Sequence, residues 1–200
     1  MKRKTSISAH MLALAVLMTA LVTMAGYAHN PDQEPAGEAA VATSAASTTD
    51  KRLLTSREAF QIAEPVAVNW SSDAVLVDLS NFRGSSEPDG RAIRWKLEFN
   101  SADRNQEFEV HVSAGKILQT MEERYKKRDA VTGDWIDSPE AMKIAHPYFG
   151  DEPVRNYWLG LSSHEGTVSW YIKCKHHQGT PIWVQLNALT GEFIKTREGY

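Results

Sequence analysis

The chain has 200 residues, of which 42% are hydrophobic and 24% are charged, the balance of an ordinary soluble protein with one or two small domains. Its formal net charge of −3 excludes a globally basic surface of the kind that attracts nucleic acid. The single cysteine, Cys174, excludes an internal disulfide, so packing must supply the stability.

The N-terminus carries the pattern of an export signal. Basic residues at positions 2–4 precede an apolar run over residues 11–25, and small residues up to Ala28 suit a signal peptidase. We predict a secretory signal peptide at residues 1–28 and a periplasmic or secreted protein. The alternative is an uncleaved anchor, although the run is shorter than the span of about 20 apolar residues that a membrane helix needs. Cleavage would leave a net charge of −6, which argues mildly against anionic partners.

Residues 29–52 are predicted to form a disordered linker. The segment is rich in Ala, Ser, Thr, Glu and Pro, has no aromatic residue, and contains Val41 as its one large aliphatic side chain. Such a composition cannot bury enough apolar surface to offset the conformational entropy lost on ordering.

An internal repeat organises the rest of the chain. Residues 56–65 (Ser-Arg-Glu-Ala-Phe-Gln-Ile-Ala-Glu-Pro) and residues 138–147 (Ser-Pro-Glu-Ala-Met-Lys-Ile-Ala-His-Pro) are identical at six of ten positions. The correspondence continues downstream with an offset that changes only where turns are expected, as loops tolerate length changes. We predict a first module at residues 53–128 and a second at residues 136–198.

Each copy is predicted to begin with a short helix. Thr55 and Asp137 are expected to be N-cap residues, each with a Glu three positions later that completes a capping box. Apolar residues follow at helical spacing, and Pro65 and Pro147 are expected to end the two helices.

Strands follow each helix, because apolar residues recur at every second position and so place one face of a sheet in a core. The inward set comprises Ile93, Trp95, Leu97, Phe99, Phe108, Val110 and Val112 in the first copy, and Val168, Trp170, Ile172 and Cys174 in the second. The helices are too short to persist alone and must pack on that face. The predicted fold class is α+β, with two tandem modules, each one short helix packed on an antiparallel sheet of about four strands.

The chain resembles the PepSY family in three motifs. Residues 58–63 (Glu-Ala-Phe-Gln-Ile-Ala) and 140–145 (Glu-Ala-Met-Lys-Ile-Ala) are similar to the helix signature of that family, and residues 187–193 (Asn-Ala-Leu-Thr-Gly-Glu-Phe) to its terminal hairpin. The resemblance covers roughly residues 54–120 and 136–197. It departs from the family where Asn replaces the usual Asp at the start of the hairpin, and where the hairpin of the first copy is shortened.

The resemblance implies secretion or membrane association and a binding role. PepSY modules are often proposed to restrain peptidases, and they also occur in membrane proteins linked to iron and redox work. The family has no catalytic residues, so none can be transferred to this sequence.

Cys174 and the histidines are the candidates for catalysis or metal binding, and we predict that they do neither. Cys174 shares the inward parity of its strand, so it is expected to fill the core instead of serving as a nucleophile. His176 and His177 are adjacent on an extended segment and point to opposite faces, which disfavours a shared metal with His146 or His164. Without a nucleophile–base motif, we predict no enzyme, no catalytic residue, no metal site and no cofactor.

One outward-facing group differs between the copies. Tyr171, Lys173, Trp183 and Gln185 are predicted to lie on the outer face of the second sheet, where the first copy has mostly charged residues. Exposed aromatics on a sheet suggest a partner-binding surface. Two alternatives are that the copies pack together there, or that the connector, residues 121–136, covers the surface.

The predicted function is that of an extracytoplasmic, non-catalytic binding protein. Its partner would be a protein of the cell envelope, a peptidase being one candidate that it could inhibit. No nucleic acid is expected, and membrane contact is expected only through an uncleaved N-terminal segment. The alternative is an accessory protein for metal, haem or redox handling at the cell envelope.

Overall fold

The fold is seen in a computed structural model that describes residues 52–151, 153–176 and 181–199. The predicted signal peptide, and the predicted linker up to residue 51, lie outside these residues. None of the described helices is long and apolar enough to cross a membrane.

Two helices and eight strands make up the described fold. In chain order they are helix α1 (Ser56–Trp70), strands β1 (Val75–Asn81), β2 (Arg94–Ser101), β3 (Gln106–Ser113) and β4 (Lys116–Arg124), helix α2 (Ser138–Ala145) with a 3-10 turn (His146–Phe149), and strands β5 (Val154–His164), β6 (Thr167–His176), β7 (Pro181–Asn187) and β8 (Phe193–Glu198).

All eight strands belong to one antiparallel sheet, with the order β4-β3-β2-β1-β5-β6-β7-β8. The prediction of two tandem modules, each with a four-stranded sheet of its own, is therefore wrong, and the described chain is mostly β. The two groups of strands join where β1 pairs with β5, through Asp78 opposite Ser162 and Leu79 opposite Leu161. An unpaired edge exposes backbone N–H and C=O groups, and this pairing satisfies them for both central strands.

Asn81 extends the junction beyond the backbone ladder. Its side-chain oxygen accepts a hydrogen bond from the Leu159 amide at 2.6 Å, and its amide group donates to the Tyr157 carbonyl at 3.3 Å. The side chain of Asn81 thus replaces a backbone partner at the point where the strands diverge.

Helix α1 is longer than its sequence predicts. Thr55 and Glu58 form the expected capping box, but the helix passes through Pro65 and ends at Trp70. The prediction that Pro65 ends the helix is wrong. A proline inside a helix costs about 3 kcal/mol, but Ala67 and Trp70 lie beyond it and are buried, so packing of the last turn offsets that cost.

Helix α2 ends at Ala145, and Pro147 lies in the 3-10 turn that follows, as expected. Its N-cap differs from the predicted capping box. The Asp137 carboxylate accepts from the Ser138 amide at 2.8 Å, and it also accepts from the Arg57 amide at 3.1 Å and the Ser56 hydroxyl at 2.6 Å. One carboxylate therefore serves the first turns of both helices.

The helices and the inner face of the sheet share a single core. Side chains from both halves are buried together, including the inward set predicted from the alternating pattern except Ile93, which is only partly buried. Trp95 donates its indole N–H to the Leu54 carbonyl at 3.0 Å, and Trp170 donates to the Ile136 carbonyl at 2.9 Å. The two tryptophans thus fix the segment before each helix in the same way.

Candidate functional site: the outer face of the sheet

The outer face of the sheet, opposite the helices, has two unlike halves. Because opposed residues in antiparallel strands point to the same side, the strand registers fix which side chains share this face. On β1 to β4 the outer face carries a group of carboxylates, Asp78, Glu98, Glu107 and Glu109, whereas on β5 to β8 it carries a group of aromatic and basic residues. The two halves also differ in what covers them.

The chain segment between β4 and α2 covers the first half. The Lys126 carbonyl accepts a hydrogen bond from Asn100 at 2.8 Å, and the Lys126 ammonium donates to Glu107 at 3.0 Å. Arg128 forms ion pairs with both Glu98 and Glu107. The segment then pairs Asp129 with Ser163 on β5 before it passes to the helix side.

This cover buries carboxylates that the alternating pattern places in solvent. Glu107 is fully buried and Glu98 nearly so. Burial opposes ionisation of Glu98, but hydrogen bonds from Lys96 and Arg128 outweigh it and lower the Glu98 pKa. At neighbouring Asp78, burial and the charge of Glu98 raise the pKa to about 6. The first half of the outer face is thus an ion-pair network. It borders a cavity of about 560 Å³ whose lining includes Asp78, Glu98 and Arg128.

The second half carries a surface that we call the aromatic–basic face. It consists of Trp158, Tyr171, Lys173, Trp183, Gln185, Lys195 and Arg197. The strand registers align these side chains in two rows that cross the sheet. No segment of the described chain crosses this face as the connector crosses the first half.

Trp183 lies at the centre of the aromatic–basic face. Its ring meets the edge of Trp158, with centroids 5.7 Å apart and planes at 69°. The Lys173 ammonium lies 4.4 Å from the Trp183 ring centroid, a cation–π contact. All three side chains are only partly buried, so the cluster is held by its own contacts and still reaches solvent.

Gly160 lets Trp158 lie flat against the sheet. A Cβ atom at position 160 would lie 2.5 Å from the far edge of the Trp158 ring, well inside van der Waals contact. Any other residue at this position would therefore push Trp158 out of its edge contact with Trp183.

A groove beside Trp183 has a volume of about 520 Å³ and is lined by Tyr171, Gln185, Lys195 and Arg197, among others. The amide of Gln185 donates to the Tyr171 hydroxyl at 3.2 Å and to the Ser169 hydroxyl at 3.1 Å. These hydrogen bonds fix the floor of the groove. Lys195 and Arg197 are exposed along its outer wall.

The structure brings all four sequence-predicted residues, Tyr171, Lys173, Trp183 and Gln185, into one cluster. Their role in binding a partner stays a prediction. The connector covers the first half of the sheet, and the two halves join edge to edge instead of packing face to face.

Three members of this face, Trp158, Lys195 and Arg197, are not among the residues predicted from the sequence. Trp158 follows an irregularity in the pairing of β5 with β6, which hides its parity from a simple count. Lys195 and Arg197 could have been assigned to this face from the alternation of side chains along β8, since they are two residues apart.

The other candidate residues do not form a reactive centre in the described structure. Cys174 is completely buried, as predicted, and burial raises the pKa of its thiol to about 12. Among the described residues no cluster of His, Cys, Asp and Glu could hold a metal ion. The His176 side chain and His177 lie outside the description, so the absence of a metal site stays a prediction, and so does the metal-handling alternative.

Comparison with known proteins gives a likeness of fold. A putative lipoprotein from Clostridium difficile 630 is 16% identical to this chain with a TM-score of 0.53, and the match covers 70% of this chain and 91% of that one. The Bacillus megaterium YpeB C-terminal domain is 10% identical with a TM-score of 0.27, over 75% and 67% of the two chains. The second likeness is too weak in geometry to support an argument. No protein-family model matches the chain, and no curated protein matches its sequence.

Proposed function

We propose that this protein is a non-catalytic binding protein of the cell envelope, and that a partner protein docks on its aromatic–basic face. The observation that carries the proposal is a partly buried cluster around Trp183, which reaches solvent on the side of the sheet away from both helices. Tryptophan, tyrosine and arginine dominate the energetics of protein interfaces, because they bury much apolar area and still offer polar contacts.

The contrast between the two halves of the sheet supports this choice of surface. In the first half the charged outer residues have partners, since Arg128 and Lys126 neutralise Glu98 and Glu107. The aromatic–basic face has no such cover from the described chain. A docking protein would bury the solvent-exposed part of this aromatic surface, and burial of apolar surface contributes about 25 cal/mol per Å² to the binding free energy.

Export and family membership belong to the same proposal. The basic and apolar pattern of residues 1–28 supports delivery to the envelope. The motifs at residues 58–63, 140–145 and 187–193 support a PepSY-like chain, for which restraint of a peptidase would be a fitting role. The burial of Cys174, which is the one cysteine of the chain, argues against a thiol nucleophile.

Site-specific photocrosslinking tests the docking surface. A photoreactive aromatic amino acid would replace Tyr171 on the aromatic–basic face or, as the control, Tyr148, which is 40% exposed beyond helix α2. We expect a discrete crosslinked protein from position 171 and none from position 148, and mass spectrometry would show whether it is a peptidase.

The variant Trp183→Ala should reduce crosslinking from position 171 strongly, because truncation of a central aromatic anchor costs about 2 kcal/mol or more. Tyr148→Ala serves as the matched truncation of an aromatic residue and should leave crosslinking unchanged. Equal adducts from both positions, or adducts from position 171 that ignore Trp183→Ala, would show that the partner does not use this face.

A further inference from the structure

We propose that the groove of the aromatic–basic face holds an extended, acidic peptide segment of the partner, with carboxylates at every second residue. The inference rests on the proposed protein-binding function and specifies the chemistry of the ligand. It follows from the charge, the spacing and the shape of the groove.

The charged side chains described in the lining of the groove are basic. Lys195 and Arg197 line the groove itself, and Arg83, Lys173 and Lys175 line an adjoining cavity of about 290 Å³ beyond Trp158. No Asp or Glu is among the described lining residues of either cavity, although acidic residues outnumber Lys and Arg in the whole chain. A surface that concentrates positive charge in this way is complementary to a carboxylate-rich ligand.

The spacing of the basic groups favours an extended peptide. Lys195 and Arg197 are two residues apart on one face of β8, opposite Gln185 and Trp183. Their backbone positions are therefore about 7 Å apart, which is also the repeat of alternate side chains in an extended chain. A peptide that runs along β8 can present one carboxylate to each and an apolar side chain to Trp183.

The recessed shape favours a peptide over a membrane surface. Membrane-surface anchors present apolar side chains beyond the protein surface, but Trp158 and Trp183 are half-buried against each other. The most exposed large hydrophobic residues of the described chain do not include Trp158, Tyr171 or Trp183. A groove with aromatic walls and a basic rim suits one strand of peptide better than a lipid layer.

Fluorescence anisotropy with the full chain tests this inference. The probe is a labelled ten-residue peptide that alternates Glu with Val, and its isomer has the same composition with the Glu residues grouped together. We expect the alternating peptide to bind about tenfold more tightly than the isomer, the effect of one charge-assisted contact. The affinity should fall as salt is raised, because the rim charges are exposed.

Charge reversal locates the peptide on the protein. Lys195→Glu with Arg197→Glu should weaken binding more than about tenfold. Lys116→Glu with Arg124→Glu makes the same change on β4, the opposite edge strand, and should leave binding unchanged. Circular dichroism would verify folding, and the milder Lys195→Gln with Arg197→Gln provides a second test if the reversed variant does not fold.

Three results would overturn the inference. One is equal affinity for the two peptides, and another is equal loss of binding in the β4 and β8 variants. A third is binding to vesicles that contain phosphatidylglycerol, lost on β8 reversal, with no peptide binding, which would identify a membrane ligand. If Tyr171 crosslinks a protein in a Trp183-dependent manner while no acidic peptide binds, the ligand chemistry is wrong and the proposed protein-binding function stands.

Discussion

The Asp137 carboxylate should contribute unusually strongly to stability because it caps two helices. One of its oxygens accepts three hydrogen bonds, from the Ser138 amide, the Arg57 amide and the Ser56 hydroxyl. Each such bond contributes about 1 kcal/mol, so Asp137→Ala should lower the free energy of unfolding by about 3 kcal/mol. Asp137→Asn keeps an acceptor oxygen but loses the negative charge near two helix N-termini, which should cost about 1 kcal/mol.

Thr55→Ala provides the matched control. The Thr55 hydroxyl accepts one hydrogen bond, from the Glu58 amide at 3.2 Å, and serves helix α1 alone. Its loss should cost about 1 kcal/mol, the ordinary value for an N-cap. Urea denaturation followed by circular dichroism would measure all three variants. If Asp137→Ala costs no more than Thr55→Ala, the Asp137 carboxylate does not stabilise both helices.

Two further predictions concern ionisation. The Asp78 pKa is raised to about 6, so between about pH 4 and pH 6 the folded protein holds a proton that the unfolded chain has released, and stability falls as the pH rises. Asp78→Asn should remove this loss. The free energy of unfolding of the variant, measured by urea denaturation, should therefore rise relative to wild type by about 2 kcal/mol between pH 4 and a pH above 6. A difference between variant and wild type that does not change with pH would contradict the prediction. The Cys174 thiol, buried and with its pKa raised to about 12, should react with a thiol reagent at pH 8 only in denaturant, and rapid labelling of the folded protein would show that the thiol is accessible.

The sequence predicted the local structure better than the assembly of the sheet. Alternation correctly assigned Trp95 and Trp170 to the core, and the capping box at Thr55 marks the true start of α1. The pairing of β1 with β5 is made chiefly by backbone groups, which every residue has. No side-chain pattern in the sequence therefore predicts it. The prediction that Pro65 ends α1 failed because tertiary packing of the last helical turn outweighs the unfavourable effect of proline inside a helix.

The candidate site was predicted in part for similar reasons. Parity along single strands found Tyr171, Trp183 and their neighbours, because a regular strand alternates its side chains. The negative net charge argued against an anionic partner. A sum over the whole chain cannot show that basic residues are concentrated at one groove. The fold places Arg128 against Glu98 and Glu107 in the first half, and Lys195 and Arg197 along the groove of the second half; a sum over the sequence shows neither placement.

The seam between β1 and β5 has a consequence for any attempt to shorten the protein. In a fragment made of one half, β1 or β5 would become an edge strand. Its unpaired backbone N–H and C=O groups could then pair with a similar strand of another molecule. Two such fragments could restore the missing neighbour for each other, with Ser56 of one copy taking the place that Ser138 holds beside it in the intact chain. Truncation at the connector should therefore yield a self-associating species, because in the intact chain one molecule supplies both strands of this seam.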